Sequence, residues 1–265
     1  LVDLMNYFDI AIDGGKDSLS MVVKHNDKSI KSPGSLVLTF YASVPNIYHK
    51  ITPNIKSKNS LLLYIDLSEN YNKLGGSSYY QSYNIIGNNS PLIRNREKLL
   101  QSFNIIQKLI KDKFILSGHD VSDGGLITTL IEMSISSNIG ININIPNEIV
   151  DITNYLFNEE LGFVIEIHPK FLIYISSLFN EFNININTIG VSNNINNIDI
   201  IYKNNLIFSE SIPNVRNEWE STSFKLEQLQ CEINCVYDEQ HYLKNFKKLE
   251  YNFNNNHIFN KISNV

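Results

Sequence analysis

KFILSGHDVSDGGLITTLIEMSISS (residues 113–137) sets a short apolar run against a long helical one, with polar residues crowded between them. The run KFILSG predicts a short strand ending at Gly118, and GGLITTLIEMSISS (124–137) predicts a helix. The seven positions between, HDVSDGG, hold a histidine, two aspartates, a serine and two glycines. A strand ending there delivers His119 and Asp120 to its C-terminal edge, where α/β proteins bind ligands. Ser122 or Asp123 suits the N-cap of the helix, its side-chain oxygen taking an orphan amide. Gly124 and Gly125 leave the first turn open, and the helix dipole with its exposed amides favours a phosphate. Asp120 offers Mg²⁺ the hard carboxylate oxygen it prefers. The same residues equally suit a cap and a turn with no ligand.

Working outward, strands and helices interleave. SPGSLVLTFYASV (32–44) reads as a buried strand and SLLLYIDLS (60–68) as another. Leu99, Phe103, Ile106 and Ile110 recur at helical spacing between Arg94 and Lys111. IGININI (139–145) alternates like a half-buried strand, a short helix follows around Ile149–Leu156, and GFVIEIH (162–168) is a strand. Residues 170–182 read as helix, NTIGVSN and IDIIYKN as two strands, and 216–230 as a last helix, where Trp219 and Phe224 read as packing residues. The fold class is α/β to α+β, a mixed sheet covered by helices. NIKSKNS (54–60) marks a domain boundary, and beyond about residue 240 the asparagine-rich chain reads as a linker or tail.

Composition narrows the function. Of 265 residues, 43% are hydrophobic and 18% charged, as in a globular protein, and the net charge of −5 argues against a broad basic surface for nucleic acid. No apolar run reaches the ~18 residues of a membrane span. Cys231 and Cys235 lack the further partners of a zinc site, and so few cysteines suit a reduced, cytoplasmic setting. The chain opens on Leu1, in what reads as mid-helix, so its natural start is expected upstream. Asparagine-rich runs such as NNINNIDI read as a compositional bias and blur turn signals.

A second polar loop, IDGGKDSLSM (12–21), places Gly14, Gly15, Lys16, Asp17 and Ser18 where they would cradle a phosphate, Lys16 supplying charge and Ser18 a hydroxyl. It lacks the spacing of the Walker motif, and a solvated Gly-Gly turn fits it as well. His25, His49, His168, His241 and His257 are scattered, without metal-ligand spacing. Glu159 and Glu160 in FNEELG suit a structural role better than an acid–base one, because adjacent side chains diverge.

AIDGGKDSLSM, KSPGSLVLTFYASVPNI, ITPNI, KLGGSSYYQ, SGHDVSDGGLITTLIEM, LFNEELGFVIEI and WESTSFKLEQLQ, in this order, resemble the large multidomain form of the phosphoribosylformylglycinamidine synthases, from about residue 7 to about residue 240. The resemblance implies an ATP-, Mg²⁺- and glutamine-dependent C–N ligase of purine biosynthesis, converting a formylglycinamide ribonucleotide to its amidine. It implies two aminoimidazole-ribonucleotide (AIR)-synthetase-like modules, each with an N-terminal and a C-terminal domain. Residues 1–57 would then be the end of the second N-terminal domain and 58–212 the second C-terminal domain. Residues 213–240 would form a trailing helix and connection, and 241–265 a linker or tail. By motif, Asp120 corresponds to a magnesium ligand and Ser122 to a nucleotide contact.

The family's other magnesium ligands lie upstream of this chain, its glycine-rich nucleotide segment in the first module, and its glutaminase domain downstream. Neither Cys231 nor Cys235 looks like the glutaminase nucleophile, and turnover by this chain alone is not expected. Two rivals share its residues: a module holding a structural ADP without turnover, and another ATP-dependent member of the AIR-synthetase superfamily. If the N-terminal part is incomplete, Leu36, Val37, Leu38 and Phe40 should stand exposed.

Overall fold

The computed structural model describes residues 1–16, 20–32 and 34–244. They fall into two compact units, Leu1–Ser209 and a second from Glu210 onward. The first begins with helix α1 (Val2–Phe8) and a two-stranded hairpin, β1 (Val22–His25) and β2 (Lys28–Lys31). Then come β3 (Leu61–Asp66), α2 (Ser78–Ser82), α3 (Arg96–Lys111), β4 (Ile115–Asp120), α4 (Gly125–Ile135), β5 (Ile141–Ile145) and α5 (Ile152–Phe157). They are followed by β6 (Gly162–Ile167), α6 (Leu172–Asn180), β7 (Asn185–Ser192), β8 (Asn197–Tyr202) and β9 (Asn205–Ser211). The second unit holds α7 (Ile212–Glu227) and α8 (Ile233–Lys244).

Seven strands form one mixed sheet in the order β4-β6-β3-β7-β5-β8-β9. β3 pairs antiparallel with β6 and β7, β4 with β6, and β5 with β7, while β5 and β8 run parallel. Strand alternation gives the sheet two buried faces. Leu63, Ile65, Ile165 and Ile167 pack with Ile105, Ile106 and Leu109 of α3 and Ile175 and Phe179 of α6. On the other face Tyr64 meets Tyr155 of α5 edge-on, ring centroids 6.3 Å apart, and α5 packs on α4. Burial and then the charge of Asp66 push the Tyr64 phenol well above its ordinary pKa.

Glu166 decides how the chain enters this sheet. Its side chain on β6 is fully buried, and its carboxylate accepts from the backbone amides of Lys56 and Ser57 at 2.8 and 2.9 Å. The hydroxyls of Ser60 and Ser117 each donate to it at 2.7 Å. The same strap is tied by Gly118 N donating to the Thr52 carbonyl and by Asn59 N donating to that of Ser192. NIKSKNS is therefore a bound strap crossing the sheet, with Ile55 and Ser60 buried.

Several sequence expectations change. The segment 34–44 is not a strand and is exposed: Leu36, Val37, Leu38 and Phe40 are 70, 86, 47 and 66% accessible. A strand needs a paired neighbour and a covering layer, and no described residue supplies either. On α3 the buried stripe is Ser102, Ile105, Ile106 and Leu109, and Phe103 is half exposed. Trp219 is also half exposed, because Phe224, which is buried, lies about 140° around α7 from it at ~100° per residue. β4 continues two residues past Gly118, and α8 carries helix on to Lys244, past the onset expected for the tail.

Asparagine supplies seven of the eleven described non-glycine residues with positive φ: Asn26, Asn59, Asn70, Asn84, Asn138, Asn183 and Asn204. Lys203 and Asn204 make the two-residue turn from β8 to β9, both left-handed, as a type I′ hairpin requires.

Removing the Glu166 carboxylate strands four donors. Glu166→Ala should cost on the order of 4 kcal/mol or more, measured by urea unfolding. Glu166→Gln, nearly the same shape, should also destabilise clearly, by about 1–3 kcal/mol, because its NH₂ turns a donor toward donors.

Candidate functional site

The HDVSDGG turn is held at several of its backbone groups. Val121 N donates to the Gly162 carbonyl at 2.9 Å, and the Thr129 hydroxyl donates to the Asp120 carbonyl at 3.1 Å. Gly125 N donates to Ser122 O at 3.0 Å. The side chains of Asp120, Ser122 and Asp123 are left exposed, Asp120 at 65%.

The helix cap differs from the sequence expectation. Neither Ser122 nor Asp123 caps α4; Gly124, at φ 82°, is the N-cap and makes no side-chain bond. Its amide donates instead to the Glu159 carboxylate at 2.7 Å, and the same oxygen accepts from Ser78 N, also at 2.7 Å. Glu159 thus answers one amide at the head of α4, that of the N-cap Gly124. Gly125, at φ 76°, lies so close to the 156–158 backbone that an added Cβ would come within 2.5 Å of Asn158 O.

The residues flanking Glu159 complete a corner. Asn158 is buried, its amide donating to the carbonyls of Asn154 and Tyr155 while its side-chain oxygen accepts from Glu160 N. Glu160, fully buried, pairs with Arg94 at 2.7 Å and accepts from Leu92 N at 3.3 Å. Arg94 stacks over Tyr71, 3.8 Å from the ring centroid. Glu159 contacts backbone amides and Glu160 an arginine and a backbone amide.

Around Asp120, the Ser122 hydroxyl donates to Oδ2 at 3.4 Å and His119 Nδ1 faces Oδ1 at 3.1 Å. The opposite ring nitrogen, Nε2, faces Glu132 of α4 at 3.1 Å. Sequence reasoning passed over Glu132, although a lone acid in LITTLIEMSI was a visible signal. Among the described residues no cluster of three or more His, Cys, Asp or Glu could hold a metal. Asp120 and Ser122 are hard oxygen donors, however, and Mg²⁺ is commonly held by one or two carboxylates with waters and phosphates. They fit one arm of such a site.

The second loop does not join this turn. Gly14, Gly15 and Lys16 are exposed, an added Cβ at either glycine would meet nothing within 4 Å, and Asp17 and Ser18 lie outside the described residues. Cys231 and Cys235 are free and exposed. Among the described residues no helix is long and apolar enough to cross a membrane.

The family described as AIR synthase related protein, C-terminal domain, matches residues 59–203. Phosphoribosylformylglycinamidine synthase of Homo sapiens is 34% identical over 92% of this chain, and that of Dictyostelium discoideum 39% over 93%. The Arabidopsis thaliana protein named probable phosphoribosylformylglycinamidine synthase, chloroplastic/mitochondrial, is 36% identical over 92%. The chain spans about a fifth of the length of these relatives. In structure it is similar to T. maritima PurL complexed with FGAR, with a TM-score of 0.53 at 9% identity, over 63% of this chain and 29% of that one. Similarity to T. maritima PurL complexed with ATP has a TM-score of 0.50 at 9% identity, over 62% and 27%. These two likenesses show the fold: a mixed sheet flanked by helices.

Because Glu159 closes both glycine turns, Glu159→Ala should speed amide hydrogen exchange at Ser78 and Gly124 and lower stability by about 1–3 kcal/mol. Glu159→Gln, which keeps an acceptor oxygen, should do so to a smaller extent.

Proposed function

Because the chain belongs to the AIR synthase related family through its domain at 59–203, we propose that it is part of a phosphoribosylformylglycinamidine synthase. The observation that carries this is identity of 34–39% to proteins of that name over 92–93% of the chain. The whole enzyme would convert formylglycinamide ribonucleotide, ATP and glutamine to the amidine, ADP, phosphate and glutamate. Phosphoryl transfer makes the amide oxygen a leaving group, and ammonia displaces it. A glutaminase domain elsewhere in the polypeptide would supply the ammonia, and the compartment would be the cytoplasm. This chain by itself would not turn over.

Within it, residues 1–57 are assigned to the N-terminal domain of an AIR-synthetase-like module and 58–212 to its C-terminal domain. Residues 213–240 are the trailing helix and connection, and 241–265 a linker or tail. Asp120 would hold Mg²⁺ and Ser122 would contact the nucleotide. The ion supplies charge neutralisation at the phosphates. The chain's own contribution is a fixed turn: four backbone hydrogen bonds hold it while the Asp120 and Ser122 side chains stay open to a ligand. In the DGGKDS loop, Lys16 would meet a phosphate of substrate or nucleotide, with Gly14, Gly15, Asp17 and Ser18 around it.

Asp120→Asn in the full-length polypeptide should weaken Mg²⁺-dependent ADP binding at least tenfold without moving the melting temperature, since an amide replaces an anionic ligand. An unchanged magnesium titration would remove Asp120 from the metal. Lys16→Met should cost on the order of 1.5–3 kcal/mol in binding the phosphorylated ligand. Calorimetry giving equal affinity for variant and wild type would return Lys16 to a solvated turn.

A further inference from the structure

We propose that the cleft between residues 71–73 and 88–90 is a binding site for a small tetrahedral oxyanion, a phosphate. None of its lining residues belongs to the HDVSDGG turn or to the DGGKDS loop. The cleft encloses about 210 Å³, below the ~300 Å³ at which pockets for drug-sized ligands begin, so it suits an ion with a few waters. Both walls are preformed. On one side Tyr71 N donates to the Ser68 carbonyl at 3.0 Å and Lys73 N to the Tyr71 carbonyl at 3.1 Å. The other wall is clamped to the glycine turn at 75–76. Gly76 N donates to the Ile86 carbonyl at 2.6 Å, and a Cβ on Gly75 would come within 2.4 Å of the Asn89 backbone.

Charge decides what enters. Lys73 and Arg94 both line the cleft, and Glu160 balances only one of them. The acid nearest in sequence, Glu69, is already engaged by Lys98 at 2.8 Å. Arg94 gives Nη2 to Glu160, and its Nε is buried with no partner among the described residues, so the surplus is positive. The neutral groups point the same way. Among the described residues the side chains of Lys73, Asn88, Asn89 and Ser90 have no hydrogen-bond or ion-pair partner. An ammonium, two amides and a hydroxyl thus stand uncommitted around one small space. Donors arriving from separate segments match an acceptor with oxygens on all sides. A planar carboxylate is matched better by an arginine fork, and Glu160 already holds the one here.

The test is amide hydrogen exchange, followed by mass spectrometry on the full-length polypeptide as inorganic phosphate is added. Reading the peptide that covers 86–92 separates this cleft from phosphate bound elsewhere. Phosphate should slow exchange there saturably, sulfate should do the same, and acetate should not. Lys73→Gln should weaken the phosphate response about tenfold or more, while Lys73→Arg, which keeps the charge, should retain most of it. Lys108→Gln, at an exposed lysine on α3, should change nothing. Three results would overturn the proposal: no slowing at 86–92 in the wild type, an equal response in Lys73→Gln, or an equal loss in Lys108→Gln. Acetate acting as strongly as phosphate would overturn it as well. If Lys73→Gln melts early without phosphate, Ser90→Ala carries the test. It should weaken the response by a smaller factor, and a wild-type response there would then sink the site. Ribose 5-phosphate binding tighter than the free ion would assign the ligand as a phosphate ester, and the reverse as the ion; either supports the site.

Discussion

A buried carboxylate without its hydrogen bonds would be intolerable in this sheet, and the fold around Glu166 is arranged so that it is never without them. Its four donors come from the strap before β3, from the head of β3 and from β4, so one side chain fixes three segments to β6. β4 is the strand that ends in His119 and Asp120, and its neighbour in the sheet is β6. The geometry of the candidate site is thus inherited from a residue well inside the sheet that touches no candidate ligand.

A second acid plays a related part nearer the surface. Glu159 takes two backbone amides from two different glycine-containing segments, and Asn158 and Glu160 on either side hold the corner that presents it. The three consecutive residues NEE bind α5, the SDGG turn, the GGSS turn and the loop before α3. At the N-terminus of α4, the Gly124 amide is already answered by an internal anion. In the proposed site, selectivity for a ligand would then fall to the exposed side chains of Asp120 and Ser122.

Much of this was legible in the sequence where periodicity was strong. The strand at 61–66, the alternating strand at 141–145 and the helix after HDVSDGG all follow from pattern, and the turn was recognisable by its residue types. What escaped was set by tertiary partners. Nothing local in GFVIEIH says that Glu166 will be buried, because its donors lie about 50 and 110 residues away along the chain. The cap of α4 departs from the local pattern for the same reason, since the Gly124 amide is taken by a carboxylate 35 residues further on. The run at 32–44 reads as a buried strand, yet β propensity expresses itself only against a neighbour. The strand β9 and the short helix α2 carry too little pattern to stand out from their polar surroundings.

The asparagines tell a different story from the rest of the composition. A drift in base composition that loads a genome with asparagine codons would be expected to damage a fold indiscriminately. In this chain seven of the 38 asparagines sit at left-handed positions, Asn26, Asn59, Asn70, Asn84, Asn138, Asn183 and Asn204. There asparagine is the least costly choice after glycine, because its short amide tolerates that backbone. The turn at Gly124 and Gly125 could not make the same exchange, because at both positions a positive φ coincides with a Cβ that would collide with its neighbours.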